Sequence, residues 1–158
     1  MSQTRGAKTS EVKVIAVNRK ALHDYDVLER VEAGLVLTGS EIKSVRAGRA
    51  NMSDAYARPQ GRELWLLGAH IAQYAQASHY NHEPTRPRKL LLHKEQLARL
   101  IQTVQQKGLT LIPLRLYIRN HVAKVDLGVC RGRREYDKRR VIAERTTERE
   151  IQRALRQR

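Results

Sequence analysis

Arg131, Arg133 and Arg134 flank Gly132 and lead into Tyr136, Asp137, Lys138 and Arg139 in the run "RGRREYDKRR". Guanidinium groups are planar forks of N–H donors that match phosphate oxygens, and lysine adds a compact positive charge. Gly132 lets the backbone come close to a ligand or turn sharply. Tyr136 has no core face in the surrounding pattern and is free to stack on a base. This is the chemistry of phosphate and base recognition rather than bond making. Six histidines and sixteen acids are present, but they form no glycine-rich phosphate loop, H-E-x-x-H helix or nucleophile elbow. His23 has no cysteine or second histidine at metal-ligand spacing, so it is not read as a ligand. No catalytic residue, metal or cofactor is assigned.

The whole chain shares this bias. Its 158 residues hold 31 Lys and Arg against 16 Asp and Glu, a formal net charge of +15. Such an excess opposes compactness and favours a polyanionic partner. Nucleic acid is the first candidate and an anionic membrane the second. One Trp, no Phe and no run near eighteen apolar residues argue against a membrane,. The start "MSQTRGAKTSEVK" has no apolar segment of the secretory kind, and Cys130 is alone. A cytoplasmic setting without disulfides is therefore expected.

The elements that must position these cations follow from periodicity. Residues 1–11 are small and polar, and disorder is expected there. "VKVIAV" is a strand or anchor, and Asn18 caps a short helix with Ala21, Leu22 and Tyr25 inward,. "DVLERVEAGLVL" is extended, with Gly34 placed for a bend. Thr38 or Ser40 caps a second helix whose Ile42 and Val45 share a face, leaving Lys43, Arg46 and Arg49 off it,. A hairpin turns at Pro59–Gly61. Leu97, Leu100, Ile101 and Val104 recur at helical spacing, and Gly108 stops that helix,. In "TLIPLRLYI", Ile112, Leu114, Leu116 and Ile118 are predicted inward, with Arg115, Tyr117 and Arg119 outward. Asn120 and His121 turn into a strand with Ala123, Val125, Leu127 and Val129 inward. Antiparallel strands with three short helices predict a small closed or partly closed β-barrel at 12–130, with a split sheet against helices as the competitor.

Residues 131–158 form a basic tail in which apolar residues are sparse. Glu144 and Glu148, Arg145 and Arg149, and Arg149 and Arg153 are like-charge pairs at i,i+4,. Helix initiation costs entropy that this segment cannot recover alone. The tail is expected to be disordered when free and helical in a complex, where about twenty residues span roughly 30 Å.

The pieces "NRKALHDY", "EAGLVLTGSEIKSVRAGRANMSDAYA", "RPRKLLLH", "QQKGLTLIPLRLY" and "GRREYDKR" are long, ordered and specific. Together, from about Ile15 to the C-terminus, they resemble the SmpB family, the SsrA-binding proteins of bacterial trans-translation. The resemblance implies a closed oligonucleotide-binding-like β-barrel with three helices. It implies binding to the tRNA-like domain of transfer-messenger RNA and entry into stalled ribosomes, as a monomer with one protein per RNA. It also implies that the tail folds inside the empty messenger channel beyond the decoding centre, and that the protein itself catalyses nothing. A general structured-RNA-binding or ribosomal protein is the alternative that charge and β content fit equally.

By the same resemblance, Asn18, Arg19, Lys20, His23, Tyr25, Glu32, Lys43, Arg46, Arg49, Leu91 and His93 belong to the RNA face. Arg19 and Lys20 would hold phosphates. Glu32 would accept from a base amino group or orient a basic neighbour. Some relatives carry asparagine at the position of His93. Arg131, Gly132, Arg133, Arg134, Tyr136, Asp137, Lys138, Arg139, Ile142, Glu144 and Arg145 would meet the ribosome. Here Tyr136 stands where some relatives have histidine, and Ala143 replaces a lysine.

Overall fold

Short alternating segments and tight turns build most of the chain, and the computed structural model describes residues 11–76, 81–133 and 135–156 of it. Strand β1 (Val12–Val17) leads into helix α1 (Arg19–Asp24) and the long strand β2 (Tyr25–Leu35). Helix α2 (Gly39–Arg46) follows, then β3 (Ala50–Asn51), β4 (Tyr56–Gln60), β5 (Glu63–Leu67) and β6 (His70–Ile71). After a loop come β7 (Arg88–Leu91), helix α3 (Lys94–Lys107), β8 (Thr110–Arg119), β9 (Val122–Gly132) and helix α4 (Glu135–Arg156).

The main sheet runs β1-β8-β4-β5-β7-β2-β9, with β8 also paired to β9, and the pairings are antiparallel. Asn120 (φ 49°) and His121 (φ 64°) both adopt left-handed backbone. That geometry matches the twist of two strands joined by a two-residue hairpin, so β8 and β9 fold back on each other directly. Gly108 (φ 57°) closes α3 in the same region of backbone space,. Inside the sheet lie Leu64, Leu66, Ile71, Leu111, Leu116, Val125 and Leu127, all fully buried.

The simple alternation expected in β8 fails at one place. A bulge between Pro113 and Arg115 shifts its register against β9. Leu111, Leu116 and Ile118 join the main core, whereas Ile112 and Leu114 pack with Ala21 and Cys130 in a second cluster. Proline cannot donate to the ladder, and an extra residue there re-aims the side chains on either side. Tyr117, expected outside, keeps its outward direction but is fully buried beneath charged neighbours. The bend expected in β2 at Gly34 also moves, since the irregularity lies between Val27 and Glu29. The hairpin turn falls at Gly61–Arg62, with Pro59 inside β4.

The second cluster seats α1. Asn18 is buried, its Oδ1 accepts from the Ala21 amide (3.0 Å), and its Nδ2 donates to the Met52 and Pro113 carbonyls (2.9 Å each). Burial also pushes the Cys130 thiol up to about 11, so it stays a neutral packing group,.

Two boundaries of the tail differ from expectation. Strand β9 continues through Gly132, because Arg131 and Gly132 pair with Asp26 and Tyr25 of β2. And 135–156 is helical here, not coil. No glycine or proline interrupts that segment. Opposite charges three residues apart, Arg145 with Glu148 and Glu150 with Arg153, offset the like-charge pairs. The described side chains, from Ala143 to Arg156, are exposed. Residues 1–10, most of the segment expected to be disordered, lie outside the described residues.

Candidate nucleic-acid interface

Three groups of side chains stand on this frame. At the start of β2, Arg19 and Lys20 are exposed on α1, and Lys20 pairs with Asp54 at 3.0 Å. The hydrogen bond from Lys20 to Asp54, and then the Asp54 charge, hold the ammonium above its usual pKa. His23 and Tyr25 are half-buried, and His23 Nδ1 lies 2.9 Å from Asp24 Oδ1. Lys20, Tyr25, Asp54 and Tyr56 line a groove of about 350 Å³. The tail is rooted beside it. The Arg133 amide donates to the Asp24 carbonyl (3.0 Å), and its guanidinium reaches Asp26 Oδ1 (2.7 Å) and the His23 carbonyl (3.1 Å).

The second group sits at the far end of β2, roughly 23 Å away at ~3.3 Å per residue. Glu32, Leu91, His93, Gln96, Val122 and Lys124 line a groove of about 380 Å³. Glu32 is a hub within it. It accepts from the Tyr117 hydroxyl and from Arg119 (2.9 Å), and Lys124 lies 4.0 Å away. The same hydroxyl reaches Asp126 at 3.3 Å, and Asp126 pairs with Arg115 at 3.0 Å. The Arg115 and Arg119 guanidiniums lie 4.7 and 5.5 Å from the Tyr117 ring centroid, within cation–π range. Burial first, then the hydrogen bond to Glu32, holds the Tyr117 hydroxyl far above its ordinary pKa, so it remains a donor.

The third group is α2. Thr38 and Glu41 form a capping box at its start: the Thr38 amide (3.3 Å) and hydroxyl (3.0 Å) both donate to Glu41,. Glu41 is buried and also ion-paired with Arg86 and with fully buried Arg88. His82 joins this anchor, its Nδ1 2.9 Å from the Ser40 hydroxyl and its Nε2 2.9 Å from the Ile71 carbonyl. Exposed from the helix so fixed are Lys43, whose ammonium lies 5.5 Å from the Tyr74 ring centroid, with Arg46, and Arg49 just beyond.

The residues expected on one RNA face are therefore divided. Lys20, His23 and Tyr25 come together with Arg131, Gly132 and Arg133. Glu32, Leu91 and His93 come together elsewhere, and Lys43, Arg46 and Arg49 share α2. Two expectations are corrected. Asn18 has its amide committed inside the protein, so it supports α1 instead of touching a ligand. Arg133 is bound to the body with its side chain only 15% exposed, so it fastens the tail rather than offering a free cation. Arg134 lies outside the described residues. Tyr136, Asp137, Lys138, Arg139 and Ile142 fall on α4, where the backbone alone is described, and Glu144 and Arg145 are exposed there. Arg115, Tyr117, Arg119 and Lys124 are legible in the sequence as outward-facing residues, but strand pairing alone brings them to Glu32. Among the described residues, no group of three His, Cys, Asp or Glu is placed to hold a metal. No helix among them is long and apolar enough to cross a membrane.

The family model described as "SmpB protein" matches residues 15–157. An SsrA-binding protein of Desulfitobacterium hafniense (strain DSM 10664 / DCB-2) is 54% identical over 145 residues, covering 92% of this chain and 93% of that protein. One from Chloroflexus aggregans is 55% identical over 152 residues, covering 96% of each. A solved structure described as "tmRNA-SmpB: a journey to the center of the bacterial ribosome" contains a chain 46% identical, with a TM-score of 0.66. It covers 82% of this chain and 94% of its own. The shared arrangement is mainly β, oligonucleotide-binding-like, with several short helices.

Proposed function

The chain belongs to the SmpB family, and from that membership we infer that it binds transfer-messenger RNA, the SsrA RNA, and delivers it to stalled ribosomes for trans-translation. The observation that carries this is a family match running from residue 15 to residue 157, through body and tail alike. The protein is a non-catalytic adaptor. Its partners are that RNA and the ribosome, and its setting is the cytoplasm, where ribosomes work.

The body grips the RNA and the tail tests the messenger channel. Folded RNA is recognised through backbone, 2′-hydroxyls and unstacked bases, and exposed Arg19 and Lys20 on α1 with Lys43, Arg46 and Arg49 on and just beyond α2 offer it positive charge. We read the main sheet as a closed barrel, a reading supported by the β8–β9 pairing and by the Ala57–Leu111 pair joining β4 to β8. The tail enters the channel only when messenger is missing, and its α4 segment presents Arg145, Arg149 and Arg153 to ribosomal phosphates.

A filter-binding competition at physiological salt tests the assignment. The tRNA-like domain of transfer-messenger RNA is expected to outcompete ordinary tRNA strongly. Equal affinity for both would leave only a general structured-RNA binder. In the same assay, Arg19→Ala is expected to weaken binding roughly fivefold, the loss of about 1 kcal/mol from one phosphate contact. Unchanged affinity in that variant removes Arg19 from the face.

A further inference from the structure

A helix in water draws most of its stability from packing one amphipathic face, yet the described side chains of α4 are all exposed. Its two sides differ in chemistry. At about 3.6 residues per turn, Glu144, Glu148, Ile151 and Leu155 fall within about 60° of one another, and Arg145, Arg149, Arg153 and Arg156 group about 130° further round,. The arginine side suits phosphate. The other side does not. Its two carboxylates repel polyanions, and Ile151 and Leu155, 55% and 66% exposed, are apolar. What covers that side must be apolar and edged with positive charge.

The body carries a groove of that kind. Between α3 and the turn after β4 lies a cleft of about 400 Å³, lined by Leu97, Ala98 and Ile101, with Arg62 and Lys94 as its charged residues. Lys94, Leu97, Ala98, Ile101 and Gln105 of α3 follow the same spacing as Glu144, Thr147, Glu148, Ile151 and Leu155 of α4. Each stripe is about 16 Å long at ~1.5 Å per residue. Charge sets their polarity. Laid parallel, Glu144 and Glu148 meet the Lys94 end while Ile151 and Leu155 lie toward Ile101 and Gln105. Laid antiparallel, the acids lose Lys94 and Leu155 faces it.

We propose that this groove receives the Glu144–Leu155 side of α4 from a second copy of the chain, each copy giving its helix and taking the other's. The copy's own α4 does not fill it, since that helix is exposed and begins at Glu135, just past the residue fastened to His23, Asp24 and Asp26. A reciprocal exchange uses one helix and one groove from each copy, so it closes at two. The net charge of +15 on each copy opposes it. At about 0.15 M salt the Debye length is about 8 Å, which screens the charges outside the contact. The pair is a resting form of the free chain, with the arginine side of α4 turned outward. It goes beyond the RNA assignment and does not depend on it.

Sedimentation equilibrium of the full chain, without RNA and at that salt, tests it across a concentration series. Wild type is expected to move from the mass of one chain, 18.2 kDa, to that of two and no further. Leu155→Asp and Ile101→Asp are each expected to weaken pairing by about tenfold or more. Mixed together, these two variants regain one intact contact and pair more tightly than either alone. Lys94→Glu and Glu148→Lys each weaken pairing, and the chain carrying both recovers. Leu155 is exposed, so Leu155→Asp leaves the body intact and carries the test if Ile101→Asp does not fold. A one-chain mass at every concentration, which is also the result if α4 folds back onto its own groove, overturns the proposal. So does Leu155→Asp pairing as tightly as wild type, or a mass that climbs past two chains, the mark of an open head-to-tail contact.

Discussion

A chain ended after Arg133 is expected to bind the tRNA-like domain within about twofold of the full-length protein, yet to tag no peptides on stalled ribosomes. The cut follows from the strand pairing. Arg131 and Gly132 are rungs of the β2–β9 ladder, and Arg133 ties β9 to His23, Asp24 and Asp26. Removing them would damage α1 and confuse loss of the tail with damage to the body. A companion variant isolates helix from charge. Ala143→Pro places proline inside α4, which costs about 3 kcal/mol in a helix interior and leaves every cation in place. It too is expected to abolish tagging while RNA affinity stays unchanged. The measurements are RNA titration and a tagging assay on ribosomes stalled without a stop codon. Collapse of RNA affinity in the truncated chain defeats the division between body and tail. Normal tagging in Ala143→Pro defeats the requirement for helix.

The largest stability effect is expected from Glu41→Ala. Glu41 is the sole carboxylate in contact with Arg88 among the described residues, and both side chains are fully buried. Removing the acid leaves a buried guanidinium without its counter-charge, a change that costs about 3–5 kcal/mol. It also dismantles the capping box of α2. Chemical denaturation measures it directly, and a loss below about 1 kcal/mol shows that water reaches Arg88 after all. The pH dependence has a definite sign. Burial pushes the Glu41 carboxyl up, but the hydrogen bonds from Arg88 and Arg86 and the Arg88 charge outweigh it, so the net pKa is lowered from 4.5. A depressed carboxylate stabilises fully above its unfolded value. The contribution is lost as pH falls from about 4.5 toward the folded value. Glu41→Ala should therefore flatten the acid limb of the stability curve.

Helices α1, α2 and α3 are legible in the sequence because each carries a cap and an apolar stripe at helical spacing: Asn18 before Ala21, Thr38 before Ile42 and Val45, and Leu97 to Val104 before Gly108. Strand β9 is legible for a different reason, the period-two recurrence of Ala123, Val125, Leu127 and Val129,. Strand β8 is only partly so, because a bulge after Pro113 inverts the alternation and sequence period cannot reveal a residue that two partners share. The residues expected to face RNA follow from family resemblance, and their division into separate groups comes from the register of a long strand. The Glu41–Arg86–Arg88 anchor has no sequence signal. A buried ion pair joins residues more than forty positions apart, and nothing in either local pattern marks a charge as interior. The tail reads as coil only when its like-charge pairs are weighed without the opposite-charge pairs one turn away.

The mooring of Arg133 has a consequence for encounter kinetics. A flexible tether leaves its far end spread over a large volume, and the local concentration at any target falls steeply with its length. Here the chain leaves the body with its starting direction set by three bonds to fixed backbone and side-chain oxygens, and the next element is a rod. Because Arg133 is fastened, the free tether is counted from there and not from the end of the strand core, so its effective length is shorter and the local concentration of the tail near the seated body is higher,.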